Sequence, residues 1–296
     1  MTTEAKILAD KPGIYPGIPF GDYCDIVALN HSTLKHLVGV TPELGRYNML
    51  HDIKDTKSLR KGHGTHSAVL TPDEFATEYV EMPVWGDGRV TANKEAKAKW
   101  IIENEHKIQL ESTKRKDGTI DSEYQKCVAM RDRLLVHETA NQFLTGPGQN
   151  EMTILWVDPL TGRMCKGRLD RLTRVDDWLT IVDIKSGKGL ADWEISKAVE
   201  DYAYHMQFAG YVEGLNTIRT ANLRVVLVWV CNEPPHEVRV TEMEEPVLAE
   251  GAAARAHYLK IYDECMKADH WPSYPVGVDQ VDLPKYGYRF TQPEAR

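Results

Sequence analysis

Two acidic residues and a lysine near the middle of the chain have the types and spacing that metal-dependent phosphodiester hydrolysis requires. Asp170 ends the segment Met164–Asp170, and Asp183 is followed two positions later by Lys185. Carboxylate oxygens suit hard cations such as Mg2+ or Mn2+, and a neighbouring ammonium group can offset charge on a phosphate. The same residue types also form ordinary cross-strand ion pairs, so this spacing alone does not decide between the two interpretations.

The residues around Asp183 have the alternation of a strand. Val182 and Ile184 are apolar and flank the acid, and Lys185 follows. On a strand with a period of two, the acid and the amine share one face while the aliphatic side chains enter the core. The carboxylate and the ammonium group are therefore expected to point into the same site.

A three-stranded meander is predicted to bring the acids together. The turn Asp158–Gly162 joins its first two strands and delivers Asp170 beside Asp183, and Glu151 lies at the mouth of the first strand. The three strands are expected at residues 151–158, 163–175 and 178–185.

Helical periodicity and capping residues predict the elements around this meander. Asn30 or Ser32 is the candidate N-cap of the first helix. The nearly continuous apolar run at 223–230 predicts a buried strand, with which 238–241 is expected to pair. Helices are expected at 30–37, 61–70, 91–110, 122–144, 193–215 and 245–269.

These elements predict a single domain of the mixed α/β (α+β) class. With 296 residues, of which 42% are hydrophobic, the chain is long enough to bury a large core. The predicted parts are an extended N-terminal arm, a helical wall, a catalytic core and a C-terminal helix with its tail, at residues 1–29, 85–145, 151–240 and 245–296.

Composition and charge narrow the classes of function. A formal net charge of -8 disfavours a protein that coats nucleic acid irrespective of sequence, because phosphate binding draws on lysine and arginine, but it does not exclude an enzyme. Five scattered cysteines without a Cys-x-x-Cys pair indicate neither a disulfide framework nor a zinc or iron–sulfur site. No signal peptide or membrane-spanning run is evident, so a cytoplasmic location is expected. No Gly-x-x-x-x-Gly-Lys-Ser/Thr motif is present, so no ATP-driven step is expected.

His66 is ambiguous on position alone. It lies on a small-residue face of the helix predicted at 61–70, close to Gly62 and Gly64. A single histidine on such a face is more often a satisfied core residue than a ligand.

The order and spacing of the candidate active-site residues along the chain resemble those of the PD-(D/E)XK nuclease superfamily. Within it the chain is similar to the RecB-like exonucleases, and especially to the phage and prophage RecE-like (exonuclease VIII-like) group. Leu169 departs from the pattern, because a proline usually precedes the first catalytic aspartate. The resemblance covers most of the chain and includes Gly62–His66, Glu151, Gly167–Asp170, Asp183–Lys185, Tyr204–Gln207 with Tyr211, and Trp271–Tyr274.

The resemblance implies a central mixed sheet flanked by helices and a role for each matching residue. It implies that Asp170 and Asp183 are the principal metal ligands, joined by the main-chain carbonyl of Ile184. It also implies that His66 reaches the metal and that Glu151 is an additional catalytic acid. The implied catalytic lysine is Lys185. Gln207 and Tyr211 match residues that position DNA, and the candidate ligands of a terminal 5′ phosphate are Arg168, Ser32 and Lys35.

The function implied by the resemblance is a Mg2+-dependent (or Mn2+-dependent) DNA exonuclease with one or two ions per site. It would digest linear duplex from the 5′ end and leave 3′ overhangs for a single-strand annealing recombinase, as a homo-oligomeric ring around the DNA. Two alternatives stay open: a structure-specific or single-strand-specific endonuclease of the same superfamily, and a catalytically inactive DNA-binding module.

Overall fold

A computed structural model describes residues 11–51 and 56–282, apart from the side chain of Ser58. Residues 1–10 and 283–296 lie outside it, so the outer parts of the predicted N-terminal arm and C-terminal tail are not among the described residues. Within the described residues, no helix combines the length and the apolar character needed to cross a membrane.

The described ranges contain ten strands, which form one large sheet and two small ones. In chain order they are β1 Gly13–Tyr15, β2 Tyr79–Glu81, β3 Ile108–Leu110, β4 Ser112–Lys114, β5 Ile120–Ser122, β6 Gly148–Val157, β7 Met164–Val175, β8 Trp178–Gly187, β9 Leu223–Cys231 and β10 Val238–Glu242. The large sheet has the order β1-β6-β7-β8-β9-β10. β8 and β9 are parallel and the other neighbours are antiparallel, so the sheet is mixed. The predicted meander and the predicted β9–β10 pair are both confirmed.

Helices cover the sheet on both faces. Asn30 caps the second helix, since its Oδ1 accepts a hydrogen bond from the Thr33 amide at 2.9 Å. The helices are Phe20–Asp25, His31–Leu34, Pro42–His51, Lys57–Leu70, Pro72–Glu78, Thr91–Glu103, Glu123–Val136, Glu138–Thr145, Asp192–Asp201, Tyr204–Ile218 and Glu245–Ala268, and Lys35–Leu37 is a turn of 3-10 helix.

Strand β8 is buried on both faces. Ile181 belongs to a core layer with Phe208 and Leu259, whereas Ile184 belongs to a second layer with Met130. All five side chains are fully buried. The alternation of β8 therefore separates two core layers, and the predicted architecture of a mixed α/β fold with a central mixed sheet and flanking helices is confirmed.

One predicted helix is too long, and two others are interrupted in the structure. The helix that begins at Thr91 ends at Glu103, and Ile108–Leu110 forms β3, which pairs in parallel with β2. The helix expected at 122–144 is interrupted at His137, whose ring caps the next helix by accepting from the Ala140 amide. The helix expected at 193–215 is interrupted at Ala203, where φ is 53°. Local periodicity does not reveal such breaks when helical residues continue on both sides.

The N-terminal segment is attached to the sheet and is only partly extended. β1 forms the edge of the large sheet, and Phe20–Asp25 is helical, which corrects the predicted extended arm. The buried ammonium group of Lys166 donates to the carbonyl oxygens of Tyr23 (2.8 Å), Cys24 (3.2 Å) and Ile26 (2.8 Å). Since an unsatisfied buried ammonium is costly, these bonds hold the segment against β7.

Candidate active site

Strands β7 and β8 separate where the two aspartates lie. Their last ladder pair at this end is Arg171 with Val182. The same antiparallel register, continued by one residue, places Asp170 opposite Asp183. The two acids therefore lie side by side at the vertex of a fork between the strands, as the sequence predicts.

Leu29 lies in this fork beside β7. Its amide donates to the Met164 carbonyl at 2.9 Å, and its carbonyl accepts from the Lys166 amide at 2.8 Å. Leu29 thus pairs with the same edge of β7 as β8 does. Leu29 pairs on one side of the vertex of the fork, and β8 pairs on the other. The helix His31–Leu34 follows directly and is brought next to the candidate site.

Asp170 is held by the main chain of β8 and by a histidine. Its Oδ2 accepts from the Ile184 amide at 2.8 Å and lies 3.2 Å from Nδ1 of His66. Burial favours the neutral carboxyl, but His66, Lys185 and the Ile184 amide together outweigh burial, and the pKa of Asp170 is lowered. Burial likewise opposes the charged imidazole, but Asp170 and Asp183 together outweigh burial, and the pKa of His66 is raised to about 9. The two residues therefore form an ion pair at neutral pH.

Asp183 is the most buried acid of the site, with 3% of its surface exposed. Burial, and then the charge of Asp170, raises its pKa to about 6. The ammonium group of Lys185 lies 2.5 Å from Oδ2 of Asp183. The predicted acid and amine are therefore in direct contact.

Two aromatic rings enclose Lys185. Its Nζ lies 4.4 Å from the ring centroid of Tyr204 and 5.8 Å from that of Phe208. Burial opposes the charge on Lys185, but Asp183, Tyr204 and Asp170 together outweigh burial, and the pKa of the ammonium group is raised. Lys185 therefore stays protonated at neutral pH and is suited to stabilise negative charge.

Glu151 lies opposite Asp170 on the other neighbour of β7, since its flanking residues pair with β7 in continuous register. It adopts a left-handed backbone conformation with φ of 53°. Burial, and then the charge of Asp170, raises the pKa of Glu151. Its Oε2 accepts from Nε of Arg168 at 2.5 Å, and Nη1 of the same guanidinium donates to the Ile18 carbonyl at 2.7 Å.

Gln207 and Tyr211 contact the back of β7. Nε2 of Gln207 donates to the Tyr211 hydroxyl at 3.0 Å, and that hydroxyl donates to the Arg168 carbonyl at 3.2 Å. Tyr211 is 6% exposed, and a Cβ placed on Gly167 would lie 2.5 to 2.8 Å from its ring. The pair thus supports the strand that carries Asp170, and a direct contact of either residue with DNA stays a prediction.

Ser32 and Lys35 are exposed residues on the segment that follows Leu29. His31 precedes them and is turned inward, and burial, followed by the charge of Lys35, lowers its pKa to about 3. His31 is therefore neutral, while the hydroxyl and the ammonium group face solvent beside the site. Their role in phosphate binding stays a prediction.

The comparison with protein families decides the superfamily. Residues 31–283 match the family described as "PDDEXK-like domain of unknown function (DUF3799)". The chain belongs to this family. The predicted PD-(D/E)XK superfamily is thus confirmed, and the narrower RecE-like subgroup stays a prediction.

Structure comparison supports the PDDEXK-like fold. The crystal structure of a protein named "putative exonuclease" from Eubacterium rectale is similar with a TM-score of 0.58 and 12% sequence identity. The similarity covers 94% of this chain and 100% of that chain. A comparison with curated protein sequences gives no significant match.

The residue types of this PDDEXK-like site fit a hard divalent cation. Nucleases of the superfamily generally use divalent metal ions, and two adjacent carboxylates supply the oxygen donors such ions prefer. Oδ2 of Asp183 is buried and, among the described residues, accepts no well-aligned hydrogen bond despite its contact with Lys185. As the side chains stand, however, His66 and Lys185 engage the carboxylates, and the described ranges contain no cluster of three His, Cys, Asp or Glu residues arranged to hold a metal.

Phe208 and His31 were not anticipated as parts of the PDDEXK-like site, and Tyr204, which lies in the motif Tyr204–Gln207, was given no role of its own. Tyr204 and Phe208 enclose Lys185, and His31 lies within electrostatic range of it. Tyr204 and Phe208 are four positions apart on one helix, so their shared face was readable from the sequence. Their packing against β8 was not, because it depends on how the helix crosses the sheet.

Proposed function

We propose that this PDDEXK-like protein is a metal-dependent DNA exonuclease that hydrolyses phosphodiester bonds of linear double-stranded DNA. The observation that carries the proposal is the fork itself, where Asp170 and Asp183 lie side by side with His66 on one and Lys185 on the other. The name of the similar protein from Eubacterium rectale supports an exonuclease in particular.

Asp170 and Asp183 are the proposed principal ligands of Mg2+ or Mn2+, as one or two ions. The carbonyl of Ile184, the ring of His66 and the carboxylate of Glu151 are the proposed additional donors. When bound, such a cation lowers the pKa of a coordinated water and polarises the scissile phosphate.

Lys185 is proposed to stabilise the negative charge that develops on the phosphoryl group. Its raised pKa keeps it protonated at neutral pH, so it serves as a charge donor rather than as the base that removes a proton from water. One such contact contributes on the order of 3 kcal/mol to the transition state.

The proposed polarity is digestion from the 5′ end, leaving 3′ overhangs for a single-strand annealing recombinase. Among the candidate ligands of a 5′ phosphate, Ser32 and Lys35 are exposed beside the fork, whereas the guanidinium of Arg168 is engaged by Glu151 and Ile18. Ser32 and Lys35 are therefore the better candidates. We also propose that the protein assembles into a homo-oligomeric ring that encircles DNA and that it needs no ATP.

The test uses end-labelled linear duplex and closed circular duplex, each with Mg2+ and with EDTA, and with 5′-phosphorylated and unphosphorylated ends. The proposal expects loss of linear DNA alone, only with the metal, and release of label from the 5′ end first. The variant Asp183→Asn is the control for a contaminating nuclease and should leave both substrates intact.

Four results would each overturn the proposal or a part of it. Loss of both substrates selects an endonuclease, and retention of both with a gel shift selects a DNA-binding module. Digestion that begins at 3′ ends removes the proposed polarity. Sedimentation of the intact protein tests the ring, which a monomer at all concentrations would exclude.

A further inference from the structure

An exposed tyrosine is connected to Lys185 through one intervening ring. The ring of Tyr202 stacks on that of Tyr204, with centroids 5.5 Å apart and planes 26° apart. Tyr204 lies in turn over the ammonium group of Lys185 at 4.4 Å. Tyr202 is 61% exposed, so one face of its ring is covered by Tyr204 and much of the rest faces solvent.

A break in the backbone produces this stack. Tyr202 and Tyr204 are two positions apart, and in a continuous helix such residues do not face each other. Ala203 between them is left-handed, with φ of 53° and ψ of 39°, and is buried. A non-glycine residue in this conformation is strained and persists only where its surroundings enforce it, which is common at functional sites.

Several main-chain bonds enforce the break. The Tyr202 amide donates to the Ala198 carbonyl at 3.1 Å, and the Ala203 amide donates to the Glu200 carbonyl at 2.9 Å. The neutral ring of His31 also lies against the main chain of Tyr202. Tyr202 is therefore held in place beside the fork although its side chain is exposed.

We propose that Tyr202 is a base-stacking residue that binds the nucleobase of the nucleotide next to the scissile phosphate. The inference rests on the proposed function, because Lys185 must contact that phosphate for the adjoining base to reach Tyr202. A phosphate bound to Lys185 would place the nucleotide that carries it beside Tyr204. The exposed face of the Tyr202 ring, which stacks on Tyr204, would then meet the adjoining base. Stacking on an aromatic ring accepts every base, which suits an enzyme that must advance through any sequence.

The chain offers a matched control for the side chain. Tyr47 on the helix Pro42–His51 is 58% exposed and stacks on one ring, that of His51, at 4.1 Å. It therefore has nearly the exposure and ring contact of Tyr202 without the connection to Lys185. Tyr202→Ala and Tyr47→Ala remove the same group from the two places, and Tyr202→Phe keeps the ring.

The experiment measures binding of a fluorescent duplex with a single-stranded end by anisotropy, in EDTA, so that no cleavage interferes. Tyr202→Ala should weaken binding about 5-fold or more, the lower range of base stacking on an aromatic side chain. Tyr202→Phe and Tyr47→Ala should bind as the unaltered protein does. A set of duplexes with one abasic nucleotide, moved stepwise from the end, should reveal one position where loss of the base weakens the unaltered protein but not Tyr202→Ala.

Binding and cleavage together separate the two proposals. A protein that cleaves DNA while Tyr202→Ala binds every duplex as tightly as before overturns stacking and leaves the nuclease. A protein that cleaves no DNA but binds it in a Tyr202-dependent way overturns the nuclease and supports stacking. A protein that neither binds nor cleaves overturns both, and equal unfolding temperatures of the variants show that each comparison is between folded proteins.

Discussion

Asp170 and Asp183 occupy the first pair of positions beyond the last ladder pair of β7 and β8. Oδ2 of Asp170 accepts from the Ile184 amide, so a side chain takes over a main-chain donor where the strands part. Two carboxylates are thereby fixed next to each other by the backbone of the sheet itself.

Removing either member of the Asp183–Lys185 pair should abolish cleavage. Asp183→Asn removes a proposed metal ligand, and Lys185→Met removes the proposed charge donor while keeping most of its volume, so each should lower the rate by about a hundredfold or more. Initial rates on linear duplex with Mg2+ measure the effect. Lys260→Ala, at a surface ion pair with Glu264, is the control and should have the rate of the unaltered protein.

Each of these two variants also leaves a buried partner without its counter-charge, so a lower unfolding temperature is expected. The test therefore requires a cooperative unfolding transition for both. Undiminished cleavage by purified, folded Lys185→Met would contradict the proposed role of the lysine.

Divalent cations should stabilise the protein through Asp170. A ligand that binds only the folded state at about 100 times its dissociation constant adds about 2.7 kcal/mol to the free energy of unfolding. Mn2+ should therefore raise the unfolding temperature, EDTA should reverse the rise, and Asp170→Asn should prevent it. An equal rise in Asp170→Asn would place the cation elsewhere.

The pair of His66 and Asp170 should make the stability of the metal-free protein fall at alkaline pH. The pKa of His66 is raised from 6.5 to about 9, so its contribution is complete below pH 6.5 and is lost as the pH rises through about 9. The loss is at most about 3 kcal/mol. Asp183, whose pKa is raised from 3.8 to about 6, loses its own contribution as the pH rises from about 3.8 through about 6, which lies below this window.

Urea unfolding in EDTA across this window measures the His66 effect. The variant His66→Gln keeps a hydrogen-bonding side chain but cannot become charged, so its stability should change less between pH 6.5 and 9. If both proteins lose the same free energy over that range, the ion pair is not its source.

Packing of Tyr211 against β7 should make Gly167 intolerant of a side chain. In Gly167→Ala the new Cβ would lie 2.5 to 2.8 Å from two ring atoms of Tyr211, so about 1–3 kcal/mol of stability should be lost. Gly62→Ala is the control, because a Cβ there meets nothing within 4 Å and alanine favours the helix by about 1 kcal/mol.

The same substitution should also slow cleavage, since it shifts the strand that carries Asp170. Chemical unfolding of both variants, together with cleavage rates, measures the two effects. Gly167→Ala with unchanged stability and rate would show that Tyr211 does not brace β7.

Local patterns were sufficient for the parts of the site that lie within one strand or one hairpin. The alternation around Asp183 and the turn after Asp158 predicted the pairing that brings Asp170 alongside, because period and turn chemistry are local properties. The insertion of Leu29 beside β7 and the ring of Tyr204 over Lys185 were not predicted. Both depend on contacts between segments far apart in sequence, for which a single chain carries no local signal.

The breaks in the helices were missed for a related reason. Alanine has a high helix propensity, and the residues around Ala203 give no signal of a left-handed backbone conformation. Its conformation follows from the bond of its own amide to Glu200 and that of the Tyr202 amide to Ala198, which only the folded protein supplies.

The main-chain pairing of Leu29 with Met164 and Lys166 has a consequence for how this protein folds. This contact joins parts of the chain separated by more than a hundred residues, and such closures form late because chain entropy opposes them. The hairpin with both aspartates can form from local contacts, whereas the side of the candidate site next to Leu29 forms only when this N-terminal segment packs against β7. We therefore expect the proposed nuclease activity only from the fully folded protein.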